Sequence, residues 1–322
     1  MSRFSTFTAF AKYSLFVLGY NIVVILWGVF LRASKSGDGC GQHWLTCHGE
    51  VIPSAPELKT VIEFSHRITS GLAFLFVLAL VIWAFRAFEK GSSVRKTAVV
   101  SFIFIISEAL LGAGLVLTGN TAETLTQARP FWMAGHLINT FVLVAFLTLT
   151  SWFATGGEKL RIGENRRLGW FLLAGAVGIF AIGITGSIAA LSNMLFPSES
   201  LASGIAEDFS QSSHIIVRLR VLHPISSVVI GVFLFVLAGW IKKEADDSAS
   251  AGFWSGVVSL LVLVQFLFGG LTLLTGAPIL MQLGHLLLAD ALWISYVLLA
   301  ASALSTAPAL VEGSSTAGAA AS

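Results

Sequence analysis

Glu108–Gly119 reads EALLGAGLVLTG, and Gln265–Gly276 reads QFLFGGLTLLTG. The two stretches are 157 residues apart (265 − 108), and the same interval separates His66 from His223 (223 − 66). Weak internal similarity at a fixed offset in an apolar chain is the mark of a duplicated membrane unit. Around it lie eight apolar stretches, near 13–32, 64–85, 97–117, 131–154, 169–191, 221–241, 253–275 and 280–304. Each is long enough to cross a hydrocarbon core of about 30 Å as a helix. Hydrophobic residues make up 56% of the chain, charged residues 11%, and the mean hydropathy is +0.86. A soluble domain would carry roughly a quarter charged residues, so that class is excluded. The expected fold is an all-α membrane protein of eight transmembrane helices, arranged as two pseudo-symmetric four-helix bundles.

The repeat divides the chain into halves 1–157 and 158–322, joined by the polar loop Gly156–Arg167, with a disordered tail expected from about 306. Twelve Lys and Arg, among them Arg86, Lys96, Arg161 and Lys243, fall on one side of the spans, against seven on the other. The richer side is the expected cytoplasmic one, which puts both termini there. The net charge of +2 is then a topology signal and does not point to nucleic acid. The first span follows a short basic start, but Leu31-Arg32-Ala33 is a poor cleavage site, so it is read as retained. The absence of an Arg- and Ser-rich transit segment favours a bacterial plasma membrane.

His66, His136, His223 and His285 each sit near the start of an even-numbered span, toward the expected outer face. Ionisable groups inside a membrane are costly and point to function by default. Two facing histidines on neighbouring helices are the usual way a helix bundle holds haem iron from both sides. Zinc fits less well, because four ligands would have to converge on one point. One bis-histidine haem site per half is therefore the reading, with metal ligands His66 and His136 in one and His223 and His285 in the other.

Glu63 precedes His66 by three residues and shares its helical face. It is either a carboxylate beside the haem rim, able to act as a base or stabilise positive charge, or the partner of Arg67 in an i,i+4 ion pair. Its counterpart in the repeat (63 + 157) is Arg220, so the acid occurs in one half only, which suggests divided labour. Arg220 and Arg218 would suit haem propionates. Cys40 and Cys47 lie in the first outer loop, where a disulfide, structural or redox-active, is plausible; a metal site using His43 and His48 is a minor alternative. Glu108, which matches Gln265, is expected to hydrogen-bond across helices, and Asp290 could support a ligand. The glycines of Gly112-Ala113-Gly114 and Gly269-Gly270 are read as helix-packing positions.

Taken together, these residues resemble the haem A synthase family through the eighth span. The resemblance is carried by E-x-x-H-R at Glu63–Arg67, the C-x6-C of Cys40 and Cys47, His136, the LRVLHP of Leu219–Pro224, the LTLLTGAP turn and His285. Between the cysteines, family members often read C-P-D-W-P, whereas this chain reads Cys40-Gly41-Gln42-His43-Trp44-Leu45, keeping the spacing and Trp44. The resemblance implies an oxidoreductase that converts haem O to haem A by successive oxidation of a ring methyl to a formyl group. His66 and His136 would face the substrate haem, with Glu63 as the essential carboxylate. His223 and His285 would ligate a resident haem b, with Arg220 nearby, and Cys40–Cys47 would be a disulfide. In this scheme water supplies the oxygen, and Glu63 takes a proton or stabilises the electron-poor ring. A farnesyl-transferring haem O synthase and an electron acceptor are the implied partners, besides membrane lipid. The alternatives are a dihaem b cytochrome carrying electrons from quinol and a haem carrier without catalysis.

Overall fold

The computed structural model describes residues 8–244 and 249–305; the tail expected to be disordered lies outside them. Among these residues the chain is helical, with α1 (Ala9–Ala33), α2 (Leu58–Ala87), α3 (Ser93–Leu117), α4 (Arg129–Ala154) and α5 (Arg166–Leu195). There follow α6 (Leu201–Phe209), α7 (Ile215–Leu219), α8 (Leu222–Glu244), α9 (Ala249–Leu274) and α10 (Ile279–Ser305). Eight helical segments are long and apolar enough to cross a membrane, α7 and α8 together forming one of them. Leu75, Val236 and Leu260 stand more than half exposed on their outer faces, where a hydrocarbon solvent takes the place of a protein core. The chain is a multi-pass membrane protein.

Capping residues extend the helices beyond the apolar windows. Thr8 accepts from the Ala11 N–H at 3.1 Å and Asn165 from the Leu168 N–H at 3.0 Å, and each satisfies a first-turn donor that would otherwise have no partner. The span expected at 221–241 is the continuous α8, and a short helix that the apolar windows did not register, α7, leads into it. Pro224 stands at the third position of α8, where its missing N–H is tolerated only because it lies in a first turn. Helix α7 cannot run on through it and ends one turn before His223. The outer loop of the second half also holds a helix, α6, that the apolar windows do not register. Ser200 and Ser203 bond reciprocally at its start in a capping box.

In the first half α1 packs on α2, α2 on α3, α3 on α4, and α4 closes the ring on α1. The second half repeats this with α5, α8, α9 and α10. Along the α1–α2 seam the Tyr13 hydroxyl donates to the Phe76 carbonyl at 3.0 Å and the Trp27 indole to Ser65 at 3.2 Å. The halves meet through α4, α5, α10 and α1. There Trp293 donates to the Phe141 carbonyl at 2.8 Å and Tyr296 to the Leu172 carbonyl at 2.5 Å. Helices α4 and α10, which carry His136 and His285, are the most enclosed: half of their most apolar stretch is buried, against about a fifth in the other spans.

Candidate functional site

The four histidines sit near the N-terminal ends of α2, α4, α8 and α10. Each is the returning helix of an antiparallel pair, α1 with α2, α3 with α4, α5 with α8 and α9 with α10, so all four histidines lie at one end of the molecule. Each leans on a glycine of the helix paired with its own, on α1, α3, α5 or α9. A methyl group placed at Gly28, Gly186 or Gly269 would lie 3.0, 2.9 or 3.1 Å from the Cε1 of His66, His223 or His285 respectively. At Gly112 the nearest atom is His136 Nε2 at 3.8 Å, an ordinary contact. The glycines read from sequence as helix-packing positions thus include two, Gly112 and Gly269, that face a histidine ring. Gly28 and Gly186 went unremarked; their signal was a glycine five to ten residues before the end of each odd-numbered span.

His223 and His285 face one another with ring centroids 6.2 Å apart and planes at 87°. Two metal–imidazole bonds of about 2 Å each, with the half-width of each ring, fill that distance. The pair fits a haem iron bound from both sides. The His223 Nδ1 meets the Thr185 hydroxyl at 3.5 Å, while the His285 Nδ1 is buried without a partner. In the first half His136 Nδ1 lies 3.1 Å from Glu108 Oε1, the His66 Nδ1 is buried and unpaired, and the two rings are within electrostatic reach of each other. In all four, Nδ1 is engaged or buried, which leaves Nε2 as the nitrogen available to iron. Among the described residues no three His, Cys, Asp or Glu side chains gather as a zinc site requires.

Glu63 is buried at 3% exposure, and both its oxygens are occupied. Oε1 pairs with Arg67, the i,i+4 arrangement that the sequence left open, and Oε2 accepts from the Cys40 N–H at 2.8 Å. Arg67 in turn donates to the carbonyls of His43, and of Trp44 and Thr46 at 2.9 Å each. Cys40 and Cys47 form a disulfide and are fully buried. Nearby, Thr60 donates to the Gly39 carbonyl at 2.6 Å, and Gly39 lies so close to the Lys59 backbone that no side chain would fit. The outer loop is therefore fastened to α2 one turn above His66.

Arg220 takes the equivalent place in the second half. Its guanidinium pairs with Asp208, and donates to Glu207 Oε2 at 3.2 Å, the Gly204 carbonyl at 2.6 Å and Ser198 at 3.1 Å. It is committed to α6 and its flanks, so a haem propionate would have to displace these carboxylates. At the mouth of the first half Arg32 lies within electrostatic reach of Arg129. Arg129 is buried, and its guanidinium donates to the carbonyls of Thr124 and, at 2.5 Å, Ala122, so it too is committed to its own loop. Glu108 makes the cross-helix bonds expected of it: Oε2 accepts from Asn139 and Oε1 from Thr140, both at 2.5 Å. Asp290 is buried with both oxygens unpaired and touches no histidine nitrogen.

A multi-pass helical protein with a histidine pair in each of two four-helix bundles is the class this geometry defines. Residues 11–297 match the COX15-CtaA family, described as cytochrome oxidase assembly protein, and the chain belongs to that family. It is 42% identical over 302 residues to a protein of Thermus thermophilus named protoheme IX farnesyltransferase, covering 94% of this chain and 50% of that one. It is 29% identical over 279 residues to the heme A synthase of Shouchella clausii, covering 84% of this chain and 89% of that one. With the heme A synthase of Halalkalibacterium halodurans it shares 39% identity over 126 residues, 39% of this chain and 42% of that one. The chain spans half the length of the Thermus relative.

Proposed function

We propose that this protein is a haem A synthase, which oxidises the ring methyl of haem O to a formyl group by successive hydroxylations and so provides haem A for cytochrome oxidase. The observation that carries the reading is one histidine pair in each bundle, with a carboxylate one turn from the pair in the first half only. The half 1–157 is assigned to the substrate and 158–322 to a resident haem b. The two names among the relatives are reconciled by coverage. The match fills half of the farnesyltransferase, leaving as much again to account for that name, whereas it fills 89% of the Shouchella heme A synthase.

In the first half His66 and His136 present Nε2 to the substrate iron and fix the macrocycle. Glu63 lies near its rim. Its bonds to Arg67 and the Cys40 N–H hold the carboxylate in place, suited to stabilising positive charge on the ring; acting as a base would require one of those bonds to open. In the second half His223 and His285 hold haem b, which supplies a one-electron relay when bound. We place the protein in a bacterial plasma membrane with both termini cytoplasmic and the histidines toward the outer face. A farnesyl-transferring haem O synthase supplies the substrate, and a redox partner takes the electrons.

The test is to express the chain with a source of haem O, extract the haems from the purified protein with acid acetone and separate them by chromatography. Haem A or the hydroxylated form beside haem b supports the synthase. Haem b alone overturns it in favour of an electron-transferring cytochrome, and unchanged haem O in favour of a carrier.

A further inference from the structure

We propose that Glu108 is a positioning residue that makes the first haem site electronically unlike the second and so directs electrons out of the first half. The inference rests on the two-haem reading above. Among the four histidines only His136 has a carboxylate on Nδ1, at 3.1 Å from Glu108 Oε1. A ring nitrogen facing a carboxylate carries the hydrogen, which fixes the tautomer and aims Nε2 at the metal. It also makes the imidazole a stronger electron donor, and that stabilises the oxidised iron.

The carboxylate is itself held firmly. Thr140 donates to Oε1 and Asn139 to Oε2, each at 2.5 Å, while Asn139 accepts from Ser107 at 2.5 Å and donates to the Phe104 carbonyl at 2.9 Å. This leaves the group little freedom to turn from the ring. The second half has nothing comparable. Gln265, which replaces Glu108 in the repeat, donates to the His285 backbone carbonyl at 3.1 Å, and the His285 Nδ1 has no partner. His223 meets the neutral Thr185 hydroxyl and the Ile182 backbone, and no carboxylate. With haem held in both halves, Glu108 would give the first site the lower reduction potential, so that an electron leaving the substrate there would pass downhill to the site held by His223 and His285, which would be reduced as the first is oxidised.

The experiment is a potentiometric titration of the full chain loaded with iron protoporphyrin IX, with the first-half signal identified as the one that His66→Ala removes. Glu108→Gln keeps the shape and removes the charge; the first-half midpoint should rise while the second-half midpoint and the haem count stay fixed. Thr140→Val removes a donor that competes for the same carboxylate oxygen, so the first-half midpoint should fall. Opposite signs at one centre are not expected of residues that merely pack. An unmoved first-half midpoint in Thr140→Val, or in a folded Glu108→Gln, overturns the proposal, as does a parallel shift of both centres. If the wild-type protein takes up no haem that His66→Ala removes, the two-haem reading itself has failed and this proposal falls with it.

Discussion

Glu63 and Arg220 stand at the same place in the two halves, 157 residues apart (220 − 63), and each fastens the outer loop of its own half with opposite charge. Glu63 holds the disulfide loop through the Cys40 N–H and Arg67. Arg220 holds α6 through Asp208 and Glu207. The duplication has kept the fastening while inverting its sign, so that only the first half has a carboxylate beside its histidine pair.

Glu63→Gln keeps an acceptor for the Cys40 N–H and loses the charge. Haem content should stay close to that of the parent, while conversion stops at haem O or the hydroxylated form, with a rate loss of about 10²-fold or more, the scale of one preorganised electrostatic contact. Haem chromatography over time measures it. Unimpaired haem A production would remove Glu63 from the chemistry.

Arg220→Gln strands Asp208 in a site where its side chain is 13% exposed. Breaking a largely buried pair of this kind costs about 3 kcal/mol. Backbone amides of α6 should then exchange about 10²-fold faster while those of α4 keep their protection, as hydrogen-exchange mass spectrometry would show. Loss of all bound haem with α6 protection intact would instead assign Arg220 to the cofactor.

Replacing Cys40 and Cys47 together by Ser removes a link across seven residues of sequence. By the chain-entropy estimate this costs about 2 kcal/mol, read as a lower thermal midpoint. Because the loop is also held by Glu63 and Thr60, substantial conversion activity should survive. Abolished activity at an unchanged midpoint would point to redox use of the pair.

Gly186→Ala and Gly269→Ala would each drive a methyl group into a histidine ring, at 2.9 and 3.1 Å. Overpacking of this kind costs about 1–3 kcal/mol, so haem affinity in the second half should fall about 10- to 100-fold by titration. Gly112→Ala, with its nearest atom at 3.8 Å, should bind as the parent does.

Much of the architecture was legible because lipid enforces a simple rule: long apolar stretches become helices and pack as hairpins. The histidines were legible because an ionisable group inside such a stretch is conspicuous. What the apolar windows missed is local or relational. The α6 capping box and the short α7 ahead of Pro224 lie where apolar character lapses and turn chemistry decides. The glycines facing the rings, and Glu108 beside His136, depend on which faces two helices turn to each other. The offset of 157 aligns Gly112 with Gly269 but His136 with Trp293, because the turn before α10 is shorter than the loop before α4. Register across a helical hairpin is set by such loops, and composition does not report it.

The central claim, a separate bis-histidine site in each half, is tested most directly by haem stoichiometry in the purified protein saturated with iron protoporphyrin IX. The parent chain should bind two haems, both low-spin with six ligands. His285→Ala should disturb or lose only the second, and His66→Ala only the first. A single haem per chain, or loss of all haem on either substitution, would contradict it.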